Sequence, residues 1–406
     1  MCKRNIVVFA WFLAALNVNA QICTTSHQKD LFCLLPAAFH IAPGSIGAFS
    51  PFTAPFGTQL AQLPLATPSG FVLGPTSSGY KPIQQSFGPV FAERADTIGT
   101  HRLYLGFTYQ RFRFDSIDGT KLGRLPILLI CQNQPGCPNQ TAYTATQNRF
   151  DIKADQYAAF AVFGLTDRVD LSVAVPFERV GLGVSVAGTE YLVGSTATQS
   201  FQFHLPGSAS SIGDVTVGIK GTVVNGEKFR LAVGTLLRLP TGDELNFLGS
   251  GTVGVQPFVV LSRAGRFAPH LNLGYQWNGD SILNAKGTNS AANPIAKQQL
   301  PTDFSYKVGA DLAMTTRFTF VVDLLGQQYF DAPRFTSVTN IPVPALGRSF
   351  PTVQPTTGGY TVNNLGIGGK VNIVDRLLAT GNLLIKLDHG GLRSDVVPLI
   401  GLSYTF

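Results

Sequence analysis

The sequence predicts an all-β transmembrane barrel of about 12 antiparallel strands, in a range of about 10–14, behind a Pro- and Gly-rich N-terminal segment. Three observations predict it. Charged residues are 13% of the 406, against roughly 25% in soluble domains. Beyond Thr100, segments of about ten residues alternate apolar with polar or small side chains, the period of a strand with two unlike faces. The connections between them alternate short and long. Bacterial outer-membrane barrels have even strand numbers, short periplasmic turns and longer extracellular loops.

The first twenty residues, "MCKRNIVVFAWFLAALNVNA", read as a cleaved secretory signal. Lys3 and Arg4 form the basic start, Ile6 to Leu16 the apolar core, and Val18-Asn19-Ala20 a small-residue exit before Gln21. The apolar core is too short to span a bilayer as a helix, which takes about 20 residues. No later stretch reaches 18 uninterrupted apolar residues. Without Lys3 and Arg4 the formal charge falls from +7 to +5, and the basic residues are scattered singly, which argues against a nucleic-acid partner.

Residues 21–95 form the second unit. They are dense in Pro, Gly and small residues and carry no sustained period. A plug inside the barrel and a loose periplasmic leader both fit; the Phe and Leu content leans to a plug. Four cysteines remain in the mature chain: Cys23, Cys33, Cys131 and Cys137. An exported protein sits where disulfides persist. Cys131 and Cys137 bracket the tight polar turn "QNQPG" and are the candidate pair, which leaves Cys23 with Cys33, although sequence alone leaves three pairings open.

The third unit, 96–406, is the barrel. Strands are expected near 101–114, 148–163, 168–179, 212–224, 228–239, 253–263, 267–278, 303–313, 317–330, 363–373, 377–388 and 395–406. In "HLNLGYQW", Leu271, Leu273, Tyr275 and Trp277 share one face and His270, Asn272, Gly274 and Gln276 the other. Short turns fall at 165–168, 225–228, 264–266, 315–317 and 374–376, with the polar or Gly residues a hairpin needs. Long loops are expected near 115–147, 180–211 and 331–362. A soluble sandwich or propeller also alternates, but it needs no aromatics beside its turns. Here Phe150, Phe177, Phe229, Phe267, Tyr275, Trp277, Phe304, Phe318, Tyr329 and Phe406 lie at strand ends, as in the girdles at a membrane–water boundary. A sheet in lipid must close, so the last strand, "VVPLIGLSYTF", should pair with the first near Leu103 to Tyr109.

The face opposite the apolar one gives the lumen candidates: Arg102, Asp151, Lys153, Asp155, Asp170, Lys220, Arg230, Arg238, His270, Lys307, Asp311, Asp323, Lys370 and Lys386. Both signs are present. Such charges either brace the wall as ion pairs or tune a polar path. No catalytic, cofactor or metal site stands out. "GSGTVG" (249–254) precedes a strand rather than a helix, so it lacks the phosphate-cradling geometry. His389 and Ser394 lie in one short loop with no third group, a weak basis for a lipid hydrolase.

"SIGDVTVGIKGTVV" (211–224), "LLRLPTGD" (236–243) and "PHLNLGYQW" (269–277), in that order and spacing, resemble an outer-membrane family labelled "putative phenol meta-pathway degradation". "FGLTDRVDLSVAVPF" (163–177) fits the same style of turn. The likeness covers roughly 150 to 406. It implies a signal-bearing β-barrel, related in style to the long-chain fatty-acid transporters, that takes up small hydrophobic or aromatic solutes. It also implies that Tyr404 and Phe406 serve as the signal read by the barrel-assembly machinery. The expected function is passive passage of a small solute across the outer membrane, with outer-membrane lipid as the surrounding partner and no cofactor. A surface scaffold or adhesin, with the barrel as pedestal for the long loops, is the alternative.

Overall fold

The computed structural model describes residues 29–38, 46–66, 73–76, 79–82, 86–131, 141–196, 198–286, 296–374 and 376–406. Residues 1–20 lie outside them, as do Cys23, Cys137 and the side chain of Cys131. Cys33 is disulfide-bonded, to a partner outside the described residues.

Twelve strands form the barrel wall: β1 (Leu103–Ile117), β2 (Ala142–Thr166), β3 (Val169–Leu192), β4 (Thr216–Asn225), β5 (Arg230–Arg238), β6 (Gly254–Ser262), β7 (Phe267–Asn278), β8 (Thr302–Ala313), β9 (Phe318–Phe335), β10 (Pro355–Val374), β11 (Leu377–Lys386) and β12 (Val396–Thr405). Each pairs antiparallel with the next, and β12 pairs with β1 from Tyr104↔Thr405 to Gln110↔Leu399, so the sheet closes as the sequence predicts. The Phe406 N–H adds a seam bond to the Leu103 carbonyl at 2.7 Å. Closure leaves no edge amides facing lipid.

The alternation sorts the wall into two faces. On β7, Leu273 and Trp277 are exposed while His270, Asn272 and Gly274 are buried inward. On β12, Val396, Pro398, Ile400 and Leu402 face out and Val397, Leu399, Ser403 and Thr405 face in. Outward aromatics cluster in two belts. Toward the long loops, Tyr109 and Tyr157 lie 4.9 Å apart and Tyr275 and Trp277 4.7 Å apart. Toward the short turns lie Phe163, Phe229, Phe267 and Phe406. Two of the expected girdle residues are corrections: Phe150 and Tyr329 are each 4% exposed and face inward.

A membrane crossing takes about 9–11 residues, and β4, β5, β6, β11 and β12 have 9 or 10. By contrast β2 has 25 and β3 has 24, so both run on past the membrane. The expected long loops are therefore partly sheet. Leu125–Cys131 adds to the edge of β2, Thr198–Ile212 pairs with the outer half of β3, and Thr339–Val343 with Arg348–Thr352 makes a hairpin. That hairpin docks on its neighbours through Tyr191 and Phe350, 5.2 Å apart, and a bond from the Val353 N–H to the Pro126 carbonyl.

Under this extension sit α1 (Leu31–Ala38) and α2 (Ile46–Leu60). Leu31, Phe32, Leu35, Phe56 and Leu60 join Val180, Leu182, Val184, Phe150, Ile152 and Phe335 in one apolar core. Phe56 stands 5.3 Å from Phe150 and 5.7 Å from Phe335. Burying one such ring contributes about 1.5–3 kcal/mol.

Candidate functional site

The lumen is crossed at two levels by the chain that precedes β1. At the long-loop end, α2 runs into residues 61–66; the Gln110 side chain donates to the Pro64 carbonyl (2.5 Å) and Gln59 Oε1 accepts from the Leu392 N–H (2.5 Å). At the short-turn end, residues 86–99 lie across the barrel and bond to inward side chains of eight consecutive strands.

Those bonds run round the wall. Asp170 on β3 accepts from the Ile98 N–H at 3.2 Å. On β4, Lys220 donates to Glu93 Oε2 (2.9 Å) and the Arg94 carbonyl (3.1 Å), and Thr222 donates to the Ala95 carbonyl (2.5 Å). Arg230 on β5 pairs with Asp96, and Ser262 on β6 accepts from the Ala95 N–H (3.0 Å). Asn272 on β7 makes a two-way bond with the Glu93 backbone, 2.6 and 3.0 Å. On β8, Lys307 donates to the Phe91 carbonyl (2.6 Å) and Asp311 pairs with Arg94 at 2.5 Å and accepts from Ser86. Thr319 on β9 accepts from the Phe87 N–H (3.1 Å), and Lys370 on β10 donates to the Phe87 carbonyl (3.4 Å). His270 and Asp323 stand behind Asp311, fully buried: His270 Nδ1 is 3.5 Å from Asp311 Oδ1 and Nε2 is 2.7 Å from Asp323 Oδ1. Low local dielectric makes such bonds strong and unpaired members costly.

The fourteen lumen candidates thus divide. Asp170, Lys220, Arg230, Lys307, Asp311 and Lys370 hold residues 86–99 directly, while His270 and Asp323 support Asp311. Arg102 sits at the short-turn rim, in a shallow hollow with Asp96, Asp167 and Arg230. There Thr100 bonds to Asp167 and holds its carboxyl below the usual carboxylate range. Lys386 bridges Asp115 (2.8 Å) and Asp395 (2.5 Å) at the long-loop rim. Arg238 donates to Asn278 (2.7 Å) and lies 3.7 Å from Asp214.

Asp151, Lys153 and Asp155 are a correction: they point outward. Lys153 pairs with Asp151 at 2.8 Å with both half-exposed, and Asp155 takes the Tyr109 hydroxyl (2.7 Å) and Arg111 (3.6 Å). The even positions Phe150, Ile152 and Ala154 turn inward instead. This stretch stands above the long-loop aromatic belt. Its outer face meets water, and its inner face buries apolar side chains against α2.

Between the two crossings lies a cavity of about 250 Å³. Its apolar lining includes Leu65, Phe91, Leu236, Phe258, Leu325 and Leu384. Its polar lining includes Gln156, Glu178, Arg238, Gln276, Asp303 and Gln327. A dry cavity of about 150 Å³ already admits a benzene-sized molecule. Glu178 and Asp303 are absent from the sequence candidates although the signal was present. Glu178 follows Asp170, Ser172, Ala174 and Pro176 on the inward face of β3, and Asp303 precedes Ser305, Lys307, Gly309 and Asp311 on that of β8. The wall partners Glu93, Arg94 and Asp96 are absent too. They belong to "FAERAD", a charged run in a segment whose other charged residues are Lys29, Asp30 and Lys81.

His389 is exposed, and Ser394 is occupied by the Arg113 N–H (3.2 Å) and the Val396 carbonyl (3.3 Å). Among the described residues no hydrogen bond joins the two.

The family model described as "Putative MetA-pathway of phenol degradation" matches residues 138–333, in line with the resemblance read from 163–277. No curated protein matches the chain. Solved structures similar to this chain include three outer-membrane proteins. An outer membrane channel from Pseudomonas putida F1 is 12% identical over 77% of this chain and 98% of its own, with a TM-score of 0.43. A Pseudomonas aeruginosa FadL homologue is 12% identical over 84% and 96%, TM-score 0.33. The toluene transporter TbuX of Ralstonia pickettii is 11% identical over 76% and 90%, TM-score 0.35.

Proposed function

We propose that the protein is an outer-membrane channel for passive passage of small, apolar-bodied solutes. The lumen cavity carries this reading: a closed, lipid-facing barrel has no structural need of a 250 Å³ space whose lining mixes Leu and Phe with amides and charges. Residues 21–95 act as the plug that sets its width, and the wall charges from β3 to β10 hold that plug. The short turns face the periplasm, by the rule that extracellular loops are the longer ones. The first twenty residues serve as the cleaved signal, and the β12 strand with Tyr404 and Phe406 presents the barrel to its assembly machinery. The family description fits this direction, since phenol degradation begins with entry of a small aromatic.

The test is reconstitution of the mature protein, with and without residues 21–95, in planar bilayers and liposomes. Conductance or solute uptake that rises when the segment is removed is the expected result. Neither conductance nor uptake in both forms sinks the channel reading.

The sheet that β2, β3 and their neighbours build past the membrane favours a second role as a presented surface. In that case the isolated extension would retain its partner when the lumen is blocked.

A further inference from the structure

Most charges around the cavity are engaged. Glu93 pairs with Lys220 at 2.9 Å, and Lys307 is turned to the Phe91 carbonyl. Asp214 accepts from the Gly242 N–H (3.1 Å) and from both the N–H (2.7 Å) and the hydroxyl of Ser250, so it clamps two loops together. Arg238 is shared between Asn278 and Asp214.

Two carboxylates differ. Glu178 on β3 accepts a bond from Gln156 Nε2 at 2.7 Å. Asp303 on β8 is 2% exposed, meets the Gln327 amide and keeps Oδ1 without a hydrogen-bond partner. Among the described residues neither forms an ion pair. They line the same cavity from strands five apart round a twelve-strand wall, which places them on nearly opposite sides. A buried acceptor without a donor is costly, and a ligand that brings the donor removes that cost. A carboxylate ligand brings only acceptors and a like charge, so it is repelled twice over.

We propose that the cavity selects solutes with an apolar body and a hydrogen-bond-donating head, a hydroxyl or an amine, received by Asp303 on one side or by Glu178 on the other, and that it turns carboxylates away. This rests on the reading that solutes enter the lumen. The apolar body lies against Leu65, Phe91, Leu236, Leu325 and Leu384. The preference runs opposite to that of a site for fatty-acid anions.

Three probes share one ring and differ in the head: benzyl alcohol, benzylamine and benzoate. Binding to the detergent-solubilised mature protein is measured by equilibrium dialysis and saturation-transfer NMR. Benzyl alcohol and benzylamine should bind at least about tenfold more tightly than benzoate. In the isosteric double variant Glu178→Gln/Asp303→Asn, checked for folding by its heat-modifiable band, the gap should close to within about threefold. Equal binding of all three probes overturns the proposal, as does a gap that survives in the folded double variant. Liposome swelling is scored separately: swelling without head-group preference overturns this inference and leaves the channel standing, whereas absence of both swelling and binding overturns both.

Discussion

His270 and Asp323 meet at 2.7 Å although they sit on strands two apart, and the residue between them is Gly309. His270 faces Gly309 in the β7–β8 register, and Gly309 faces Asp323 in the β8–β9 register. A Cβ at 309 would lie 2.2 Å from Asp323 Oδ1 and 2.8 Å from His270 Nε2. Only a glycine lets the pair reach across. The pair fixes His270, His270 steadies Asp311, and Asp311 holds Arg94 of the plug.

Gly309→Ala should therefore destabilise the barrel by about 1–3 kcal/mol, the usual range for overpacking. Gly381→Ala, where a Cβ meets nothing within 4 Å, is the control. Thermal loss of the heat-modifiable band compares them. Equal melting of both variants would show that the crossing carries no weight.

Arg94→Ala leaves Asp311, with 0% side-chain exposure, without its guanidinium partner, with Ser86 and His270 still beside it. Breaking such a pair costs about 3–5 kcal/mol, much of it the stranded charge. Single-channel conductance should rise as residues 86–99 loosen, and Arg94→Ala/Asp311→Ala should lose less stability than the sum of the two single changes. Additive losses and unchanged conductance would assign the pair no latching role.

Reversing the outward charges should leave permeation alone. Asp151→Lys and Asp155→Lys alter exposed pairs worth about 0–1 kcal/mol. Arg238→Glu, which changes the cavity lining, should shift the reversal potential in a salt gradient toward cations. A shift caused by the Asp151 or Asp155 changes instead would place those side chains on the permeation path.

Phe56→Ala removes a ring packed between Phe150 and Phe335. A loss of about 3–5 kcal/mol is expected from the cavity left behind. Limited proteolysis should then cut within α2 while the barrel core stays protected. Unchanged protection of α2 would mean that the helix is held by other contacts.

Phe406→Ala strips the ring that packs 4.7 Å from Tyr404 beside the β1–β12 seam. The folded fraction recovered from outer membranes should fall, read as the ratio of heat-modified to unmodified band. An unchanged ratio refutes a part for that ring in assembly.

Period two exposed the wall to reading because lipid on one side and polar contacts on the other give every crossing residue a clear preference. Leu271, Leu273 and Trp277 against His270 and Asn272 show this plainly. The same rule misplaced Asp151, Lys153 and Asp155, since above the aromatic belt water replaces lipid outside and α2 replaces polar groups inside. Val180, Leu182 and Val184 alternate just as regularly, and they continue β3 where a loop was expected. Residues 86–99 were opaque for a different reason. They have no regular structure, and their bonds reach partners as far along the chain as Lys370. Glu178 and Asp303 were within reach, since both stand on the inward face of strands already expected at 168–179 and 303–313.

The bonds that tie residues 86–99 to the wall also bear on the order of assembly. Residues 46–66 lie at the long-loop end, and residues 86–99 and the start of β1 at Leu103 at the short-turn end. To thread α2, with Phe52 and Phe56, down a ring already shut would drag a bulky helix through the space that residues 86–99 fill. Laying the segment against β3 to β10 while the sheet is still open needs no such passage. On that order the β1–β12 seam would be the last contact to zip, with the wall closing around a segment it already holds.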